Sequence, residues 1–196
     1  MFEEIARNFL RESLSAFESY KKLAEKSFEQ VSDEEFFRSI DEEANSIAVL
    51  TKHLGGNLRS RWTDFLTTDG EKPDRNRDSE FVMADDARES LMRFWETGWQ
   101  TLFETLKSLK TEDLNKIVTI RGEAFTVVKA INRALAHAAY HIGQIVLLAK
   151  HFRAAEWRTL SIPRNKSAEF NQYLSGSGAG ICGKIEELTD LKREGE

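Results

Sequence analysis

The chain has 196 residues, of which 40% are hydrophobic and 31% charged, an ordinary balance for one globular domain and too polar for a membrane protein. A formal net charge of −5 argues against a nucleic-acid partner, because Arg59 with Arg61 and Arg75 with Arg77 are diluted by acidic neighbours. Its one cysteine, Cys182, excludes an intrachain disulfide framework, and the Met1-Phe2-Glu3-Glu4 start carries no readable signal peptide, so a cytoplasmic protein is expected.

From Phe2 to about Gln30, Ile5, Phe9, Leu10, Leu14, Phe17, Leu23 and Phe28 recur at helical spacing between charged residues and predict an amphipathic helix. Ser32, with Glu35 three residues on, reads as a capping box opening a second helix to about Leu66. Its apolar stripe is Phe36, Ile40, Ile47, Leu50, Leu54, Leu58 and Phe65. The stretch from Thr67 to Arg77, continuing irregularly to Met83, is rich in Asp, Gly, Pro and Asn. Longer than a tight turn requires, it is expected to run over the surface and to cover a site at the end of the helices.

Asp85-Asp86 is read as opening a third helix through Leu109, carrying Phe94, Trp95, Trp99 and Phe103 as surplus aromatic surface suited to a dimer contact. Lys116 to Thr126 places β-branched residues before Arg121-Gly122-Glu123 and predicts a small hairpin. From Val127 to about Phe152 lies the most apolar helix, expected at the centre of the fold. An ordered arm is expected around Trp157 and Pro163, and a flexible, glycine-rich tail from Ser175 to Gly183. The whole is read as all-α: a single domain over residues 1–196, with a core to about residue 153 and an arm from 154.

The four histidines carry the chemical signal. His137 and His141 are four apart in the last helix, so their rings leave one face a turn apart and can close on one ion. His53, among apolar residues of the second helix, completes a three-nitrogen set if the two helices pack antiparallel. The alternative is a hydrogen-bonded polar core with His53 away from the pair. His151 points off that face near the helix end, where a partly exposed cation suits the helix dipole.

Other metal templates do not fit. A zincin needs Glu directly after its first histidine, and here Ala138 follows His137. Bundle di-iron sites need Glu three residues before each ligand histidine, and Leu50 and Ala134 stand there. Three neutral imidazoles with an open position match a divalent transition metal, zinc or nickel. Asn57, one turn past His53, and Gln144, near His141, are the candidates to orient a ligand or touch substrate; no catalytic residue beyond these is apparent. Gly55-Gly56 lacks the lysine and strand context of a phosphate loop and points to close helix approach or a local bend. Tyr140 is read as a packing residue.

His53, the His137-Ala138-Ala139-Tyr140-His141 pair and the segment from His53 to Trp62 resemble the DinB/YfiT-like superfamily of metalloenzymes, and the arm from Trp157 to Arg164 resembles one branch of it. The resemblance covers nearly the whole chain. It implies a four-helix bundle with a long crossover connection, a metal site of His53, His137 and His141, and a homodimer. Activity carries over less directly, because some members are thiol-dependent transferases or isomerases and others hydrolases. The expected function is therefore metal-dependent transfer from a low-molecular-weight thiol to an electrophilic small molecule. Metal-dependent hydrolysis and a non-catalytic, stress-related metal-binding role are the alternatives.

Overall fold

A computed structural model describes residues 2–177, which form a mostly helical structure with one small antiparallel hairpin. The elements in chain order are α1 (Phe2–Phe28), α2 (Asp33–Phe37), α3 (Ile47–Trp62), α4 (Arg88–Ser108), β1 (Ile117–Ile120), β2 (Glu123–Thr126), α5 (Val127–Arg153) and α6 (Ser167–Ser177). They fall into two compact units that divide between Phe152 and Arg153. Among the described residues, no helix is long and apolar enough to cross a membrane. Cys182 and most of the expected flexible tail lie outside the described residues, although Ser175 to Ser177 belong to α6.

The single helix expected from Asp33 to Leu66 is two helices. The Ser32 capping box forms as read, with Glu35 N donating to Ser32 Oγ and Ser32 N to Glu35 Oε2. However, α2 stops after five residues. Asp41 Oδ1 then accepts from the backbone N–H groups of Glu43 and Ala44, an alternative to helical hydrogen bonding that short acidic side chains offer. Ser46 caps a fresh helix by accepting from Val49 N. Ile40, assigned to the apolar stripe, is consequently exposed. The third helix opens at Arg88 rather than Asp85, because Asp86 receives Lys52 Nζ at 2.8 Å instead of capping.

The hairpin pairs Ile117 with Thr126 and Ile120 with Glu123. Arg121 (φ 56°) and Gly122 (φ 76°) form its two-residue turn, and two successive positive φ values match the right-handed twist of the strands. Asp69 accepts the N–H groups of both turn residues at 2.8 Å, and Gly70 N donates to Thr119 O at 2.8 Å. Through these bonds the hairpin fixes the connection 63–87.

The core sits between α1, α3 and α4. Trp62, Trp95, Trp99, Phe17 and Phe36 are almost wholly buried, each such burial stabilising the fold by about 1.5–3 kcal/mol. Phe17 meets both Trp62 and Trp99 edge-on, and Trp95 meets Phe28 and Trp99. Trp95 and Trp99 therefore fill this core rather than forming surplus surface, and Phe94 and Phe103 are half-buried beside them. The two central helices touch backbone to backbone: a Cβ on Gly98 would lie 2.6 Å from Gly55 O, and one on Gly55 would lie 3.1 Å from Phe94 O. Close helix approach thus accounts for Gly55.

Candidate metal centre

Three histidines from two helices meet at one point. His53 comes from the middle of α3; His137 and His141 come from successive turns of α5. His53 Nε2 and His141 Nε2 each lie 3.2 Å from His137 Nε2. His53 and His141 are buried and His137 is half-buried. Among the described residues this is the group of histidine, cysteine and acidic side chains whose donor atoms fall within 4.8 Å of one another, and it has three members. His151 lies apart, exposed near the end of α5 beside Phe152.

The far nitrogens decide what the near ones present. His53 Nδ1 stands 2.8 Å from Glu80 Oε2. Burial alone would raise the Glu80 carboxyl, but hydrogen bonds from His53 and Arg75 and the charge of Arg75 hold it below the ordinary carboxylate range. An ionised carboxylate only accepts, so His53 Nδ1 donates, and in the neutral ring its Nε2 carries the lone pair. His141 Nδ1 donates in the same way to Gln144 Oε1 at 3.0 Å, which leaves its Nε2 bare too.

Two lone pairs therefore face His137 Nε2, whose single N–H in one tautomer satisfies only one of them. A proton on His137 or His141 is disfavoured. Burial, reinforced by the nearby His141 and His53, lowers the His137 pKa to about 3, and burial also lowers that of His141. A cation shared by all three nitrogens resolves the conflict. Tetrahedral zinc at about 2.0–2.1 Å from each nitrogen requires nitrogens about 3.3 Å apart, close to the two 3.2 Å separations from His137 Nε2, and all three donor atoms lie within 4.8 Å of one another. The residues fit a divalent transition metal.

Gln144 stands where it was expected, holding His141. Asn57 lines the adjacent cavity but bonds to none of the three histidines. The partner of His53 is instead Glu80, in a short 3₁₀ turn of the connection 63–87 that packs on α3. Arg75 grips Glu80 with both prongs, Nε to Oε1 at 2.8 Å and Nη2 to Oε2 at 2.9 Å, and both side chains are buried. Phe81, next in the chain, lies tilted over the His53 ring at 4.8 Å. The connection does cover a site, and it also supplies that site's carboxylate.

Gly56 is the sequence signal for this arrangement. A Cβ there would lie 2.2 Å from Glu80 Oε1, so only glycine leaves the carboxylate room against α3. The two consecutive glycines serve different neighbours, Gly55 the backbone of α4 and Gly56 the side chain of Glu80.

A cavity of ≈520 Å³ opens beside the histidines, within the range that holds small molecules. Its wall includes Trp62, Phe65, Phe81 and Ile120 together with Ala130 and Ala134 of α5, whose small side chains leave the space clear. Tyr140, expected to pack, is exposed at the cavity edge with its ring 4.8 Å from that of His141.

Residues 4–166 match the model of a family described as protein of unknown function DUF1572. The chain belongs to the DUF1572 family. No curated protein and no solved structure matches it. The match takes in all three histidines, Glu80 and Gln144, so the cluster lies wholly within the DUF1572 region.

Proposed function

We propose that this DUF1572 protein is a metal-dependent enzyme in which His53, His137 and His141 hold one zinc or nickel ion. The observation that carries the reading is the convergence of three Nε2 atoms, two of them fixed as acceptors by Glu80 and Gln144. We read α1, α3, α4 and α5 as the four-helix bundle of the DinB/YfiT-like superfamily, with residues 63–87 as its crossover.

An open site suits catalysis better than a structural role. Structural zinc sites are closed by four protein ligands, whereas this set has three members among the described residues and borders a cavity. A divalent ion there supplies Lewis acidity, which eases ionisation of a thiol or water at its open position. Glu80 and Gln144 hold the imidazoles in the ligand tautomer and orientation. The aromatic wall excludes water and orients a small substrate.

Among the described residues no carboxylate lines the cavity to take a proton from water. This supports transfer from a low-molecular-weight thiol, which ionises more readily than water, to an electrophilic small molecule in preference to hydrolysis.

The test is turnover by the zinc-loaded protein. With cysteine or another small thiol and 1-chloro-2,4-dinitrobenzene, thioether formation above the uncatalysed rate is expected, and it should vanish in His137→Ala. Hydrolysis of a nitrophenyl ester without thiol would transfer the reading to a hydrolase. Inertness in both assays, with zinc fully bound, would leave a non-catalytic metal-binding protein.

A further inference from the structure

The cavity beside the histidines is strongly one-signed. Among the described residues five arginines line it, Arg61, Arg75, Arg77, Arg121 and Arg133, and no acidic side chain does. Three of them are engaged from behind. Glu71 Oε2 receives Arg61 at 2.6 Å, Arg121 at 3.1 Å and Arg75 at 3.4 Å, and Glu80 takes the rest of Arg75. Two carboxylates, Glu71 and Glu80, against three guanidinium groups leave a net positive charge behind the wall.

The other two arginines are held only loosely. The nearest acid to Arg77 is Asp78 at 3.8 Å, itself 98% exposed, and the Arg77 guanidinium lies 4.7 Å over the Phe81 ring. Arg133 approaches the Phe125 ring at 5.7 Å and has no carboxylate partner among the described residues. It sits one turn before His137 on α5, so its side chain rises from the helix face that carries the histidines. Both are exposed, at the mouth of the cavity rather than its floor.

Exposed cations cost little in water, so their exposure alone assigns nothing. Their placement around a concave, partly aromatic space does. A guanidinium presents a planar fork that matches a carboxylate or phosphate, and low-dielectric walls strengthen its attraction for an anion. Trp62 and Phe65, tilted against each other at 4.6 Å between centroids, and Ile120 form the apolar part of its lining.

We propose that this cavity binds a small organic anion, a carboxylate or phosphate joined to a flat apolar body, with Arg77 and Arg133 taking the anionic group. The inference rests on the reading of the histidine cavity as a small-molecule site and adds the chemical class of its occupant. The arginines select charge at the mouth. The body then lies along the aromatic wall toward the three Nε2 atoms.

The experiment is calorimetric titration of the zinc-loaded full chain with benzoate, phenyl phosphate and neutral benzyl alcohol, with bound zinc measured in every sample. At least one anion is expected to bind about tenfold or more tighter than benzyl alcohol, and the better of the two names the acid group. The double variant Arg77→Gln/Arg133→Gln should lose about tenfold or more of that affinity while keeping its zinc. Arg93→Gln, which removes an exposed charge on α4, should bind as the wild type does. Equal affinity for benzyl alcohol, or a double variant that holds the anion unchanged, would overturn the proposal; in the latter case the anion sits on the ion or elsewhere. Wild-type protein that carries no zinc yet selects anions through the two arginines would support this proposal and remove the metal reading.

Discussion

The two sides of α3 are built on opposite principles. Toward α4 the helix is dry: Gly55 and Gly98 bring the backbones together, and Trp62, Trp95 and Trp99 fill the space around them. That side even leaves the buried indole N–H groups of Trp62 and Trp99 without partners, a cost its packing offsets. Toward the connection 63–87 the helix is charged: His53, Glu80 and Arg75 are all buried, and almost every polar atom has a named partner. The dry side gains stability by excluding water. The charged side uses that stability to hold imidazoles in one tautomer and one orientation.

The largest expected effect comes from removing the acid of the charged side. Glu80→Ala leaves His53 with no acceptor and Arg75 with only the 3.4 Å contact to Glu71. Breaking a buried pair in this way costs about 3–5 kcal/mol, to be read from denaturant unfolding of the metal-free protein. Glu80→Gln, which keeps the shape, should unfold more nearly like wild type while its metal affinity falls about 10–100-fold.

Substituting glycine on either side separates the two functions. Gly98→Ala pushes a methyl group into the α4–α3 contact and is expected to cost about 1–3 kcal/mol without changing metal stoichiometry. Gly56→Ala should do the reverse, displacing Glu80 and weakening metal binding about tenfold or more with a smaller loss of stability. Equal effects of the two on metal affinity would show that the sides are not independent.

Acid should destabilise the charged side. In the metal-free protein the His137 pKa is lowered from 6.5 to about 3, so between these values the unfolded chain binds more protons than the folded one. Stability is then complete above about pH 6.5 and falls as pH drops through that window. The lowered Glu80 pKa adds a further loss as pH falls below the ordinary carboxylate value. Thermal melts of the metal-free protein from pH 8 to pH 4 check the sign, and His137→Gln should flatten the upper part of the slope.

The smallest effects distinguish the two amides. Gln144→Ala removes the acceptor of His141 Nδ1 and should weaken metal binding about tenfold. Asn57→Ala should leave metal affinity unchanged, because Asn57 touches the cavity and not the ligands.

The dry side was largely legible in the sequence. Helical spacing of Phe17, Leu50, Leu54, Trp95, Trp99 and Ile131 marks core residues because burial imposes a period on them. The same spacing placed His137 and His141 on one face. The break at residues 38–46 was missed because Ile40 continues the apolar period while Asp41 and Ser46 end the helix by local hydrogen bonds that no period records.

The charged side was legible only where it lies on helices. Glu80 is 27 residues from His53, in an irregular segment with several other carboxylates, and nothing in its position singles it out. Gly56 held the clue: a glycine inside a helix, one turn from a buried histidine, signals something pressed against that turn. The arginines gathered at the cavity come from α3, the connection, the hairpin turn and α5, so their concentration appears only once the chain is folded.

The measurement that tests the central claim most directly is bound metal per chain, by elemental mass spectrometry, on protein purified without a metal-affinity tag, alongside His137→Ala. Close to one zinc or nickel per chain is expected in the wild type, with loss of it in the variant. A wild-type protein that carries no metal and takes none up on titration with zinc or nickel would contradict it, leaving the three imidazoles as a polar cluster within a helical protein.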